Sequence, residues 1–115
     1  MNKKHTPLDA MEYPRFEGLR TFMRLPHTTN LDNVDFLVAG IPFDTGATFR
    51  VGARFGPSGI RENSLLLRPY NPAQDIEVFK YCSGIDYGDI PIVPGYLPES
   101  HKLIEQETAS LIQPN

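Results

Sequence analysis

The sequence predicts an α/β fold, and the order of its segments from residue 34 onward indicates this. An almost continuously apolar segment at residues 34–41 is typical of a strand buried in a parallel sheet. A helix follows from Gly56, residues 83–90 are interpreted as a second strand that leads into a glycine-containing loop, and a second helix extends to about Gln113. Strand, helix, strand and helix in this order begin an α/β domain, in which two parallel strands are joined by a right-handed crossover.

Residues 1–33 are predicted to form an N-terminal arm that precedes the α/β domain, which we assign to residues 34–115. Three prolines and no sustained periodicity favour an extended chain that docks on something larger. Within the arm, Thr21–Pro26 is apolar enough to be an anchoring segment. An ordered terminal coil is the alternative interpretation.

The first strand is expected to be buried on both faces and to end at Pro42, which has no N–H for a β-ladder. A glycine-containing loop continues to Gly56. Pro57 suits the first turn of the next helix, which we expect to end before Pro69 and to place Ile60, Ser64 and Leu67 on one face.

The segment between this helix and the second strand gives a weaker signal. Residues 70–72 have the composition of a turn. Residues 76–81 alternate imperfectly, which indicates a short edge strand or an extended segment. The final helix is predicted to begin at residues 98–100, with Leu103, Glu107 and Leu111 on one stripe.

Composition excludes several classes of protein. A net charge of −3 and a pI near 5.5, with no basic stripe, argue against a nucleic-acid partner. No apolar run reaches the roughly 18 residues of a membrane span, and polar residues follow Met1 where a signal peptide would be apolar. We therefore expect a cytoplasmic protein without a membrane partner. The single cysteine, Cys82, is interpreted as a buried structural thiol.

Polar residues follow both predicted strands, at the sheet edge where open α/β folds bind ligands. The first loop contains residues that could recognise a polar substrate, namely Asp44, Thr45, Thr48, Arg50 and Arg54, and residues 86–89 would share the edge. The alternative is a loop stabilised by its own aspartate and arginine pairs. A metal site at His101 and Glu105 is not favoured, because two residues four apart on a helix are usually a solvated pair. The spacing of the glycines does not fit a phosphate-binding loop.

Residues 40–61, GIPFDTGATFRVGARFGPSGIR, resemble the agmatinase branch of the ureohydrolase (arginase/agmatinase) family. Two weaker matches flank this segment, FMRLP at residues 22–26 and IDYGDI at residues 85–90. The resemblance covers about residues 20–112. It implies the three-layer α-β-α fold of arginase-like enzymes, of which the chain would contain the first two parallel strands and their helices.

The resemblance also implies a function. Ureohydrolases of this branch hydrolyse a guanidino compound, such as agmatine, to an amine and urea, using two Mn²⁺ ions held by Asp and His ligands. Family members form homotrimers or hexamers. The motifs that carry those ligands do not occur in this sequence, so the resemblance implies that no residue here is a metal ligand or a catalytic residue. It gives the loop a place near the active-site entrance and the subunit contacts, hence substrate-rim or structural roles, with Asp44, Thr48, Arg50 and Arg54 as the substrate-rim residues.

We expect the chain to be a truncated first part of the domain that stops before the third strand. Alone, it should be inactive and only marginally stable, because two parallel strands without their next neighbour expose an apolar edge. The alternative hypothesis is a non-catalytic fragment or interaction module that lacks the metal site.

Overall fold

A computed structural model describes residues 4–112 and shows an α/β arrangement. Strand β1 (Phe36–Gly40) is followed by helix α1 (Gly56–Ser64), strands β2 (Tyr70–Asn71) and β3 (Ile76–Glu77), strand β4 (Gly84–Asp89) and helix α2 (Leu97–Leu111). Single 3₁₀ turns lie at Phe22–Arg24, Ala53–Phe55 and Val78–Lys80. The predicted order of strand, helix, strand and helix is confirmed, with a small hairpin between α1 and β4.

Strands β1 and β4 pair in one sheet. Phe36 N donates to Ser83 O at the start of both strands, and Ile90 N donates to Gly40 O where both end, which makes the pair parallel. The prediction that β1 is buried on both faces is wrong, since all five of its residues are only half-buried. Among the described residues β1 has β4 as its single neighbouring strand, and this leaves part of its surface open.

Helix α1 ends at Ser64, four residues before the predicted limit. Ser64 Oγ donates to Arg61 O at 2.6 Å and accepts the N–H of Met23 at 2.9 Å. These side-chain bonds compete with continuation of the helix. Ile60 and Ser64 lie one turn apart within α1, whereas Leu67 lies beyond its end, so the predicted common face does not extend to Leu67.

The segment predicted as a turn and an edge strand forms a short antiparallel hairpin. Tyr70 pairs with Glu77 and Asn71 with Ile76. The rest of the expected edge strand, residues 78–81, instead contains the 3₁₀ turn Val78–Lys80, whose Phe79 is buried. Cys82 follows this turn. It is only half-buried, so its predicted burial is not observed.

The arm docks through both halves, and near its start His5 O accepts the N–H of Gly84 at 2.9 Å. Its second half is held as follows. Leu25 is 1% exposed, Pro26 O accepts the N–H of Asp86, and Thr28 N donates to Asp86 O. An isolated parallel bridge between His27 and Asp86 places this part of the arm beside β4. The burial favours the anchoring interpretation of Thr21–Pro26 over an ordered terminal coil.

Helix α2 begins one residue before the predicted start, with Pro98 in its first turn. Ser100 is fully buried, and its Oγ accepts the N–H of Val93 and donates to Val93 O. The predicted end at Gln113 lies outside the described residues. Over residues 4–112, no helix combines the length and apolar character needed to cross a membrane.

The chain divides into two compact units. The first comprises the residues up to Ala39 together with Ser58–Gly88, and the second comprises Gly40–Pro57 together with the residues from Asp89 onward. The first unit contains most of the described core, namely Leu25, Leu65, Phe79 and Ile85, while the second contributes Ile90.

Candidate functional site

The loop after β1 is closed by Asp44, which lies in the second unit. Its Oδ2 accepts the N–H of Gly52 at 2.9 Å and of Arg54 at 3.3 Å. Its Oδ1 accepts Arg54 Nε at 2.9 Å and forms an ion pair with Arg54 Nη2 at 2.8 Å. One carboxylate therefore clamps a loop of about ten residues by binding two backbone donors and a guanidinium fork.

The charge state of the clamp follows from these contacts. The hydrogen bond from Arg54 lowers the pKa of Asp44 against the opposing effect of burial, and the bonds from the Arg54 and Gly52 amides lower it further. The same contact raises the pKa of Arg54. Both groups are thus charged at neutral pH. The Asp44 side chain is only 2% exposed, so its carboxylate binds donors of the loop itself.

Backbone geometry explains why glycines occur in this loop. Gly46 and Gly52 have φ values of +96° and +148°, a region that side chains with a Cβ rarely adopt. A Cβ would meet no atom within 4 Å at either position, so conformation and not space requires glycine there. Gly52 is also the residue whose N–H binds Asp44.

The part of the loop between the two clamp residues is exposed. Thr48 and Arg50 face solvent, and the Arg50 guanidinium carbon lies 5.3 Å from the centre of the Phe49 ring. Beside the clamp is a shallow cavity of about 180 Å³, lined in part by Phe43, Asp44 and Arg54. Of the four residues predicted at the substrate rim, Asp44 and Arg54 therefore hold the loop, and Thr48 and Arg50 are accessible to solvent.

Asp86, which sequence reasoning placed at the ligand-binding edge, is instead a buried structural residue within β4 of the first unit. Arg61 Nε and Nη2 donate to its two oxygens at 2.8 and 3.0 Å. Phe22 N donates to Oδ2 at 2.7 Å, and Gly88 N donates to Oδ1 at 2.9 Å. Asp86 is 1% exposed. The carboxylate joins the arm, α1 and the end of β4.

Burial of Asp86 by itself would raise the pKa of the carboxyl group. The hydrogen bonds from Arg61, Phe22 and Gly88 outweigh it, and the pKa is lowered. Sequence reasoning missed the pair because residues 25 apart on a helix and a strand give no local signal. Both residues do lie in the segments that resemble the ureohydrolases, and this was the available clue.

The histidines and acidic residues do not form a metal site in the described part of the chain. Within residues 4–112, no group of three or more His, Cys, Asp or Glu could hold a metal ion. His101 instead packs edge-on against Phe43, with ring centres 5.9 Å apart. His27 Nδ1 lies 3.0 Å from Asp86 O.

Comparison with known proteins agrees with this architecture. The model of the arginase family matches residues 34–115. A guanidinobutyrase of Pseudomonas aeruginosa is 43% identical over 106 residues, which are 90% of this chain and 33% of that protein. Agmatinase, mitochondrial, from Gallus gallus is 32% identical over 94% of this chain and 32% of its own length. The chain thus spans about a third of the length of these relatives.

Solved structures show the same fold. Proclavaminate amidinohydrolase from Streptomyces clavuligerus superposes with a TM-score of 0.80 and 34% identity, over 85% of this chain and 33% of that one. A hypothetical agmatinase from Burkholderia thailandensis superposes with a TM-score of 0.77 and 35% identity, over 84% and 31% of the respective chains. The match over residues 34–115, together with these relatives, shows that the chain belongs to the arginase family.

Proposed function

We propose that this chain forms the first part of an agmatinase-type ureohydrolase, which hydrolyses agmatine or a similar guanidino compound to an amine and urea. The observation that carries the proposal is 43% identity to a guanidinobutyrase over 90% of this chain. Relatives named agmatinase and guanidinopropionase match over a similar share of it. The substrates that these names indicate share a guanidino group and differ at the opposite end of the molecule.

We further propose that the loop at residues 44–54 shapes the rim of the substrate site. Asp44 and Arg54 would hold the loop in place through the clamp described above. Thr48 and Arg50, both exposed, would then offer hydrogen-bond donors to polar groups of the substrate. Rigid presentation of such donors lowers the entropic cost of binding.

Two Mn²⁺ ions are implied by this function, and they would activate the water that attacks the guanidinium carbon. The described residues do not fit a metal centre, because they contain no suitable cluster of ligands. We therefore assign no step of the hydrolysis to them. In the proposed enzyme, the metal ligands belong to the part that corresponds to the remaining two thirds of the relatives.

A homo-oligomer, trimeric or hexameric, and a cytoplasmic location complete the proposal. The loop supports the first of these, since Phe49, Val51 and Phe55 are each at least 70% exposed. Three large apolar side chains on one loop are typical of a surface that contacts another subunit.

A chimera tests the proposed activity. Residues 1–115 would replace the matching third of the P. aeruginosa guanidinobutyrase, and urea release would be measured with agmatine, guanidinobutyrate and arginine in Mn²⁺. The expected result is urea release from at least one substrate, well above that of the guanidinobutyrase lacking its first third. A folded, manganese-loaded chimera that releases no urea would contradict the proposal.

The alternative is a non-catalytic module that associates with other subunits. The lack of a ligand cluster in the described residues favours it for the chain by itself. Co-expression with the complete guanidinobutyrase distinguishes the two hypotheses. A module would co-purify at fixed stoichiometry while its chimera stays inactive, whereas the proposed hydrolase part would support turnover when fused.

A further inference from the structure

The first unit contains a cavity that the proposed hydrolase function does not use. Its volume is about 430 Å³, which lies within the range of small-molecule sites. Apolar side chains, among them Leu8, Leu65 and Phe79, form much of its wall. Charged residues also line it: three cations, Arg15, Arg24 and Lys80, and two carboxylates, Asp9 and Glu77. The lining therefore has one more positive than negative charge.

Arg24 is the residue that points to a ligand. It is 5% exposed, yet the partners of its guanidinium are neutral carbonyls: Nη1 donates to Tyr13 O and Pro14 O at 2.9 Å and to Glu17 O at 3.4 Å. Within residues 4–112, no ion pair includes Arg24. A buried cation without an anion is unfavourable, because carbonyl dipoles replace only part of the lost hydration.

The backbone holds Arg24 in this position against its own preference. Met23 and Arg24 have φ values of +52° and +55°, in the left-handed region that residues other than glycine seldom occupy. Consecutive residues of this kind persist where the surroundings over-determine them, and they are frequent at ligand clamps. The Met23 N–H bond to Ser64 Oγ, at 2.9 Å, is one of the contacts that fix the turn.

Two other charged groups of the lining are bonded to neutral backbone groups. Arg15 Nη1 donates to Leu65 O and Leu67 O at 2.9 and 3.1 Å, so this second guanidinium is also bound to carbonyls. Asp9 Oδ1 accepts the N–H of Met11 at 2.9 Å.

We propose that this cavity binds a small organic carboxylate. Its carboxylate group would pair with Nε and Nη2 of Arg24, since the three carbonyl bonds described above involve Nη1, and a planar guanidinium fork matches two oxygens. Its hydrocarbon part would lie against Leu8, Leu65 and Phe79. The site is independent of the proposed hydrolase function, since it includes no residue of the loop at 44–54.

Titration of the purified protein with acetate, butyrate and hexanoate, followed by amide NMR spectra, tests this proposal. We expect saturable shifts at Met23, Arg24 and Phe79, with the Kd falling about tenfold or more from acetate to hexanoate as more apolar surface is buried. Butylammonium should cause none of these shifts. Absence of saturation with hexanoate would overturn the proposal. Equal affinity for inorganic phosphate and hexanoate would overturn the assignment to a carboxylate.

Two arginine variants distinguish binding in this cavity from a nonspecific effect of the protein's charge. Arg24→Gln should weaken hexanoate binding about tenfold or more, because the charged partner is lost. Arg20→Gln is the matched control: Arg20 lies four residues earlier, is half exposed and pairs with Glu62 at 3.2 Å, so its loss should change the Kd by less than about twofold. Unchanged binding by folded Arg24→Gln would overturn the proposal. If that variant does not fold, the titration of the unmodified protein with acetate, butyrate and hexanoate tests the proposal.

Discussion

Asp86 and Asp44 are each held by an arginine, but Asp86 connects three segments of the first unit, whereas Asp44 connects residues of a single loop. Asp86 connects the arm at Phe22, helix α1 at Arg61 and the end of β4, and its arginine partner is only 15% exposed. Asp44 closes one loop, and its partner Arg54 is 48% exposed. The same pair of residue types therefore fixes the packing of the first unit in one case and the shape of a single loop in the other. Their removal should have different consequences.

The largest expected effect is that of Asp86→Asn. The change replaces the charged acceptor of Arg61 Nε and Nη2 and places an amide group against the N–H of Phe22, so we expect a loss of about 3 kcal/mol in the free energy of unfolding. Urea denaturation measures it. The control Glu62→Gln breaks an exposed pair with Arg20 and should cost less than about 0.5 kcal/mol. Equal effects of the two variants would show that Asp86 is not the centre of the first unit.

Gly84→Ala should also destabilise the first unit. A Cβ at this position would lie 2.2 Å from the Phe36 ring, which packs at 6.2 Å from the ring of Phe79. We expect a loss of about 1–3 kcal/mol from this overpacking. Gly59→Ala is the matched control, because a Cβ there meets nothing within 4 Å. It lies inside helix α1, where alanine should stabilise by up to about 1 kcal/mol. Destabilisation by both variants would contradict this account.

Stability should depend on pH through the same carboxylate. The pKa of Asp86 is lower in the folded state than in the unfolded state, so its ionised form stabilises the fold. This contribution is complete above the unfolded pKa of about 3.9 and is lost as the pH falls through the folded pKa. Urea midpoints should therefore fall below about pH 4. Asp86→Asn should flatten this decline, and an unchanged slope would refute the assignment.

Asp44→Asn should act locally. The Gly52 and Arg54 amides lose a charged acceptor, so their hydrogen exchange should accelerate by about tenfold or more, while amides in β4 keep their wild-type rates. Exchange followed by NMR measures both sets in one sample. Faster exchange throughout β4 would show that the loop clamp also supports the sheet, and the contrast with Asp86 would then fail.

Local patterns in the sequence predicted the principal strands and both helices. Apolar continuity and proline positions suffice for this, because they act within one element. The hairpin and the early end of α1 were not predicted, since the latter depends on Ser64 bonding to Met23, 41 residues away. Asp86 was misplaced for the same reason. At the candidate site, the sequence is compatible with a substrate-recognising loop and with a loop stabilised by its own ion pairs, and the Asp44–Arg54 contact favours the stabilising role for these two residues.

The role of the Asp44 clamp in catalysis is best tested in the chimera with the guanidinobutyrase. We predict that Asp44→Ala keeps two Mn²⁺ per active site and lowers kcat/KM by about ten- to a thousandfold, because the loop loses its position but no metal ligand. Arg50→Ala should have the same signature. Manganese content by mass spectrometry and urea-release kinetics would be measured on the same preparation. Loss of manganese from a folded Asp44→Ala chimera, or unchanged kcat/KM, would contradict the assignment of this loop to the substrate rim.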